Sequence, residues 1–213
     1  MGREFLHIFE DWAVQYDETV SGKDLEYREV FRNYEMILEE TAKRTFGHVL
    51  EFGIGTGNLT ERLIAEGREV TAIEPSAPMA RIAKEKLKHY DVRILEGDFL
   101  DFPSVQKVDS IASTYAFHHL TDEEKADAVK VYGNLLPRGG KIVFADTLFE
   151  DQSAFDETIA DAEKAGYLSL AEDLRTEYYP LRATMEQIFN DNGFGVTFTR
   201  CNHFAWIMEA IKE

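Results

Sequence analysis

The sequence predicts an α/β fold: an open sheet of seven strands, mostly parallel, with crossover helices, further helices ahead of the sheet and a helical insertion late in the chain. Three observations carry that expectation. Strand-like and helix-like segments alternate from about residue 48 to residue 145. The glycine triplet Gly53-Ile-Gly55-Thr-Gly57 follows directly on the apolar run that contains Glu51. Such a turn lets the backbone adopt positive φ cheaply and approach a ligand closely. The next apolar run ends in a second carboxylate, Glu74. Ligands of open parallel sheets sit beyond the carboxyl ends of the strands, so the triplet and Glu74 share one crevice, suited to a nucleoside.

The elements follow in order. Residues 4 to 45 lack strand alternation and carry scattered aromatics. Phe5, Phe9 and Trp12 fit one helical face, as do Tyr27, Phe31 and Tyr34, which gives two or three helices broken at Ser21-Gly-Lys-Asp24. The first strand covers about 48–52, and its helix runs from Leu59 to Ala65, with Gly67 at its end. The second strand is Glu69 to Ile73, after which Ser76 caps a helix reaching about Lys88. The third strand lies near Val92 to Leu95 and the fourth at Val108 to Ser113. Thr121-Asp-Glu-Glu124 has capping-box spacing and opens a helix that stops before Pro137. Gly139-Gly140 turns into the fifth strand, Lys141 to Ala145. Thr184-Met-Glu-Gln187 is a second capping-box pattern, and Asn192-Gly193 closes its helix. Val196 to Thr199 and Phe204 to Ile211 read as the last two strands.

The chain has 213 residues, 44% of them apolar, with no repeats or linker-like tracts. One domain over 1–213 is expected, with 1–45 as a helical cap and the acidic helical segment 147–182 as a lid. No stretch approaches the roughly 18 apolar residues a membrane span needs. The start, Met-Gly-Arg-Glu-Phe-Leu, lacks a secretory layout, and Leu6 stands where a myristoylation signal wants Ser or Thr. The single cysteine, Cys201, forms no internal disulfide, which fits a reducing cytoplasm. A net charge of −17 without a basic cluster argues against nucleic acid as a partner, because phosphate binding rests on Lys and Arg. The expected partner is a small molecule, with no membrane involved.

Glu51-Phe-Gly-Ile-Gly-Thr-Gly57 resembles the first motif of the class I S-adenosylmethionine (AdoMet) methyltransferases, and Glu74 resembles their ribose-binding acid. Gly97-Asp98-Phe99 is similar to their adenine loop, and Asp109 to Leu120 to their fourth strand and the loop after it. The opening Phe9 to Asp17 and the ending Asn202 to Met208 resemble the YrrT subgroup of small bacterial members. The resemblance implies a Rossmann-like sheet with an antiparallel last strand, AdoMet as cofactor and a small-molecule methyl acceptor. It implies that Glu74 receives the ribose hydroxyls and Asp98 the adenine amino group. It places Phe99 and Met79 on the two faces of adenine, Thr114 at the methionyl part through its backbone, and Tyr16 in a Tyr-Asp motif that folds back on the cofactor.

The glycine spacing separates this reading from a nicotinamide site. A dinucleotide fingerprint wants G-x-G-x-x-G, whereas here the third glycine comes one residue early and Asn58 stands in its place. A carboxylate ahead of the glycines suits a cationic sulfonium ligand with its ammonium group and offers a pyrophosphate nothing. Gly53, Gly55, Gly57 and Glu51 are therefore assigned to AdoMet. A non-catalytic AdoMet-binding module and a nicotinamide oxidoreductase remain as alternatives. For catalysis, Tyr115 and His118 follow the fourth strand, near the reactive methyl, with His118 as proton acceptor and His119 as a buttress of the loop. No histidine or cysteine spacing suggests a metal, and none is expected. The acidic segment 147–182 fits a cationic acceptor by steering.

Overall fold

The computed structural model describes residues 16–213. A short helix α1 (Tyr16–Val20) and a longer α2 (Tyr34–Arg44) precede the sheet. Residues 25–33 form successive turns. The helical face expected from Tyr27, Phe31 and Tyr34 is therefore not a helix until Tyr34. Phe31 and Tyr34 pack instead against Tyr115, at ring centroid separations of 5.1 and 5.8 Å. Tertiary aromatic contacts here override local periodicity. Phe5, Phe9 and Trp12 lie outside the described residues.

The chain then alternates as β1 (His48–Phe52), α3 (Asn58–Ala65), β2 (Glu69–Glu74), α4 (Ala77–Lys86), β3 (Val92–Glu96), β4 (Ser110–Thr114), α5 (Asp122–Leu135) and β5 (Lys141–Thr147). Two helices follow, α6 (Gln152–Ala165) and α7 (Leu168–Thr176), and then α8 (Arg182–Asp191), β6 (Phe194–Arg200) and β7 (Ala205–Lys212). The seven strands form one sheet in the order β3-β2-β1-β4-β5-β7-β6. β1 through β5 pair in parallel, while β7 is antiparallel to both β5 and β6. The sheet is the class I methyltransferase arrangement that the resemblance implied. Strand order reverses between β1 and β4, and a crevice opens at such a point.

Strand alternation sends successive residues to opposite faces. Leu50, Phe52, Ile73, Ile111 and Phe144 join the core under α5 and α8, while Val49, Val70, Ala72 and Ala112 join the core under α2, α3 and α4. All nine are almost fully buried. Truncating one of the large ones, such as Phe52, to Ala would cost about 3–5 kcal/mol by transfer and cavity effects.

Helix ends follow the local chemistry. Thr121 and Glu124 form a complete capping box, with Thr121 Oγ1 accepting from the Glu124 amide and Glu124 Oε2 from the Thr121 amide. Ser76 accepts from the Met79 amide at the start of α4. The second capping-box pattern does not cap: the N-cap of α8 is Leu181, which makes no side-chain cap, and Thr184 falls inside the first turn. The register is set elsewhere. Phe149 and Leu181 form an isolated parallel bridge, and the Arg182 amide donates to the Phe149 carbonyl at 2.7 Å, starting α8 before Thr184.

Two ties join the segment before α2 to α7. Tyr27 hydroxyl donates to the Asp173 carboxylate, and Glu26 Oε2 accepts from the amides of Ser169 and Leu170 in the first turn of α7. Asn202, in the β6–β7 turn, donates to the carbonyls of Val30 and Arg32.

Candidate functional site

A pocket with about 680 Å³ of empty space, part of it open to solvent, lies at the carboxyl ends of β1, β2 and β4. Its wall holds Tyr16, Gly53, Gly55, Glu74, Met79, Asp98, Phe99, Thr114, Tyr115 and His119, among others. Of the residues assigned from sequence, Glu51, Gly57 and His118 stand behind the wall.

The glycines divide the work. Gly55 has φ +56° and a Cβ there would meet nothing within 4 Å, so open pocket lies where a side chain would go. Gly53 has φ +66°, and a Cβ would come within 2.9 Å of the Ala116 methyl. Gly57 serves packing: it is the N-cap of α3, and a Cβ would meet Leu87 at 3.0 Å.

Glu74 ends β2 with one oxygen accepting from the Gly55 amide at 2.9 Å and the other from the Ser76 amide at 2.8 Å. A carboxylate offers about four acceptor directions, so these two donors fix its orientation and leave capacity toward the pocket. Burial pushes its pKa up to about 7, although both amides oppose the rise. Glu51 is buried one strand away and accepts from the Thr60 hydroxyl at 2.7 Å. Burial carries its pKa to about 8; Thr60 opposes the rise and Glu74 adds to it. Two buried carboxylates that ionise reluctantly make a place where an incoming cation is favoured.

Asp98 shapes its own loop by accepting from the amides of Leu100 and Asp101. The Phe99 carbonyl receives the buried Tyr132 hydroxyl of α5 at 2.9 Å, and the Phe99 ring lies 5.3 Å from both Phe52 and Phe117. Asp17, beside Tyr16, accepts from Thr56 Oγ1 at 2.7 Å and from Asn58 Nδ2 at 3.0 Å, and Lys86 Nζ lies 3.4 Å away. It thereby fastens α1 to the glycine turn and to α4. Burial raises the Asp17 pKa, but these partners outweigh it and the net shift is downward.

Beyond Thr114 the chain turns sharply. Tyr115 has φ +51°, a left-handed conformation rare for a bulky side chain. Its amide still donates to Ala145 across the sheet, and its hydroxyl reaches the Val30 carbonyl at 3.4 Å. Such strain costs of order 1–3 kcal/mol and gathers at functional sites. Asp146 of β5 accepts from the amides of Phe117 and His118 and, at 2.5 Å, from His118 Nδ1. His118 Nε2 lies 3.5 Å from Glu177, and its ring stacks on Tyr179. Burial disfavours the His118 imidazolium, yet the carboxylates of Asp146 and Glu177 outweigh it and raise its pKa. Burial, with the charges of His118 and Lys125, holds His119 well below the usual histidine range. His119, the residue expected to buttress the loop, is the histidine that faces the pocket.

Sequence reading missed three residues here. Glu177 lies far along the chain, and only the fold brings it to the histidines. Lys125 occupies the buried stripe Lys125, Ala128, Val129, Tyr132 of α5, and a cation at an apolar register was the available signal. It donates to the carbonyls of Leu120 and Tyr178, tying the loop after β4 to the segment after α7. Asp17 was read only as part of a motif with Tyr16.

Residues 49–140 match a family model described as a methyltransferase domain. The chain is 56% identical over all 213 residues, and over the whole length of the relative, to an uncharacterized methyltransferase of Bacillus thuringiensis. A relative from Bacillus cytotoxicus, also called an uncharacterized methyltransferase, is 56% identical over the same full length. Among solved structures, a possible histamine N-methyltransferase of Thermotoga maritima superposes with a TM-score of 0.68 at 17% identity, covering 97% of this chain and 99% of that one. A magnesium protoporphyrin IX methyltransferase of Synechocystis with bound SAH also gives 0.68, at 16% identity, covering 89% and 88%. At those identities the likeness shows the fold.

Proposed function

This chain belongs to the methyltransferase family, and we propose that it binds AdoMet in the Glu74 pocket and passes its methyl group to a small molecule. The observation that carries the reading is the convergence of Gly55, Glu74, Asp98 and Thr114, from four separate strand ends, on one pocket wall. The residues fit the cofactor: Gly55 leaves space, and Glu74 retains acceptor capacity beside it. Bound there, AdoMet supplies an electrophilic methyl group on a sulfonium.

The protein's own residues orient and enclose. Glu74 accepts the ribose hydroxyls and Asp98 the adenine amino group, with Phe99 and Met79 against the ring. Thr114 meets the methionyl part through its backbone, and Glu51 contributes charge from behind the glycine turn. Gly53 keeps that turn close to the loop after β4, and Gly57 seats α3. Tyr16 covers the site, held down by Asp17. The pocket continues past Thr114 to Tyr115, Ala116 and His119, which supports room for an acceptor and disfavours a non-catalytic binding module. Tyr115 and His118 act as positioning residues, since Tyr115 reaches the Val30 carbonyl and His118 is fixed by Asp146. His119 is the imidazole that meets the acceptor. The chain works as one domain, with residues 16–45 and the segment 147–182 as its cover. The net charge of −17 favours a small acceptor over nucleic acid. Among the described residues no helix is long and apolar enough to cross a membrane.

The test is calorimetry with S-adenosylhomocysteine, then incubation with labelled AdoMet and a small-metabolite extract. Saturable binding and a labelled small product are expected. Absence of binding at saturating ligand would overturn the reading, and label confined to nucleic acid or protein would overturn the acceptor class.

A further inference from the structure

We propose that His118, His119 and Glu177 form a binding site for a divalent cation of the zinc class, set in the wall of the methyl-transfer pocket. The ligand atoms of the three side chains lie within 4.8 Å of one another, and all three residues are largely withdrawn from solvent. His118 Nε2 is 3.5 Å from one Glu177 oxygen, and His119 Nδ1 is 3.8 Å from the other. Tetrahedral Zn²⁺ with ligands at about 2.0–2.1 Å places its donors roughly 3.3–3.4 Å apart. The two histidine–carboxylate spacings, made to different oxygens of Glu177, lie close to that value, and because the full donor set spans up to 4.8 Å, closing on an ion draws its most distant pair inward.

The surroundings match what a metal ligand set requires. A ligating histidine donates its other ring nitrogen to a carboxylate, which fixes tautomer and orientation. Here His118 Nδ1 faces Asp146 at 2.5 Å, which aims Nε2 toward Glu177. Ligating carboxylates are themselves hydrogen-bonded, and the Tyr179 hydroxyl donates to Glu177. Asp146 is held in turn by the amides of Phe117 and His118. Two imidazoles and one carboxylate leave a position open, the pattern of catalytic rather than structural zinc. His119 also lines the pocket, and its Nδ1 is on the buried side, so an ion it holds sits within the wall rather than in the open pocket. The role rests on the methyl-transfer reading above: an ion there would fasten the loop after β4 to the segment after α7 at the acceptor end of the pocket.

Without an ion, the same residues make a buried network in which His118 bridges two carboxylates, and titration distinguishes the two states. The chelator-treated full chain is titrated with zinc chloride by calorimetry and with Co²⁺ by visible absorption. One equivalent per chain is expected to bind, with a Co²⁺ spectrum of low-coordinate type. His119→Ala and Glu177→Gln should each weaken binding at least 100-fold, and Asp146→Asn about 10–100-fold. His89→Ala, at an exposed histidine, should leave binding unchanged. Circular dichroism and S-adenosylhomocysteine binding verify that the variants remain folded. No saturable binding to the wild-type chain overturns the proposal, as does binding that survives both His119→Ala and Glu177→Gln. Wild-type protein that binds S-adenosylhomocysteine but not zinc sinks the metal site alone. Zinc binding without S-adenosylhomocysteine binding sinks the methyl-transfer reading and leaves the metal site standing.

Discussion

At the residue scale the site turns on carboxylates kept from water. Glu74 is oriented by two backbone amides before any ligand arrives. Replacing it with Ala removes the ribose acceptor and leaves both amides without their partner. S-adenosylhomocysteine affinity should fall by about 1–3 kcal/mol, or roughly 5- to 150-fold, by calorimetry; an unchanged value would remove Glu74 from the site. Tyr115 makes a different kind of demand. Its φ of +51° suits glycine and strains any other residue. Both Tyr115→Ala and Tyr115→Gly lose the aromatic contacts with Phe31 and Tyr34, but only Gly relieves the backbone. In chemical denaturation, Tyr115→Gly should be more stable than Tyr115→Ala by about 1 kcal/mol. Equal stabilities would mean that the left-handed turn is not retained.

At the element scale the loops are held by side chains from neighbouring helices. Tyr132 of α5 supports the Asp98–Phe99 loop through the Phe99 carbonyl. Tyr132→Phe leaves that carbonyl unsatisfied in the core and should lower stability by about 1–3 kcal/mol, with weaker S-adenosylhomocysteine binding because the adenine loop loosens. Unaltered binding would show that the loop keeps its shape alone. The parallel strands, the glycine turn and the Thr121 capping box were legible in sequence because their signals are local: apolar runs, φ demands and a four-residue cap. The turns at 25–33 and the start of α8 were not. The first is fixed by the ring of Tyr115, and the second by a bridge to Phe149. The cofactor wall was legible because its residues sit at strand ends. The cluster around Glu177 was not, because its members come together only when the segment after α7 docks on the loop after β4.

At the scale of the whole molecule, the ligand-free protein carries a pH liability. Glu51 and Glu74 have folded values of about 8 and about 7, both raised from 4.5 by burial. The fold thus favours their protonated forms. The associated stability is fully present below about pH 4.5 and is lost as pH rises through 7 to 8. The melting temperature of the ligand-free protein should therefore fall between about pH 5 and pH 8, and Glu51→Gln should flatten the upper part of that decline. Parallel curves for the two proteins would show that Glu51 does not titrate in the fold. AdoMet brings positive charge to ionised carboxylates, so its affinity should rise across the same window.

The ties from Tyr27 and Glu26 to α7 have a consequence for traffic. If the segment before α2 and the segment 147–182 cover the pocket as proposed, these ties would make the two covers move together. Nucleoside and acceptor would then leave by one opening. Undoing one tie with Tyr27→Phe should quicken the release of both by a similar factor in stopped-flow measurements. Release of only one partner would mean two separate exits.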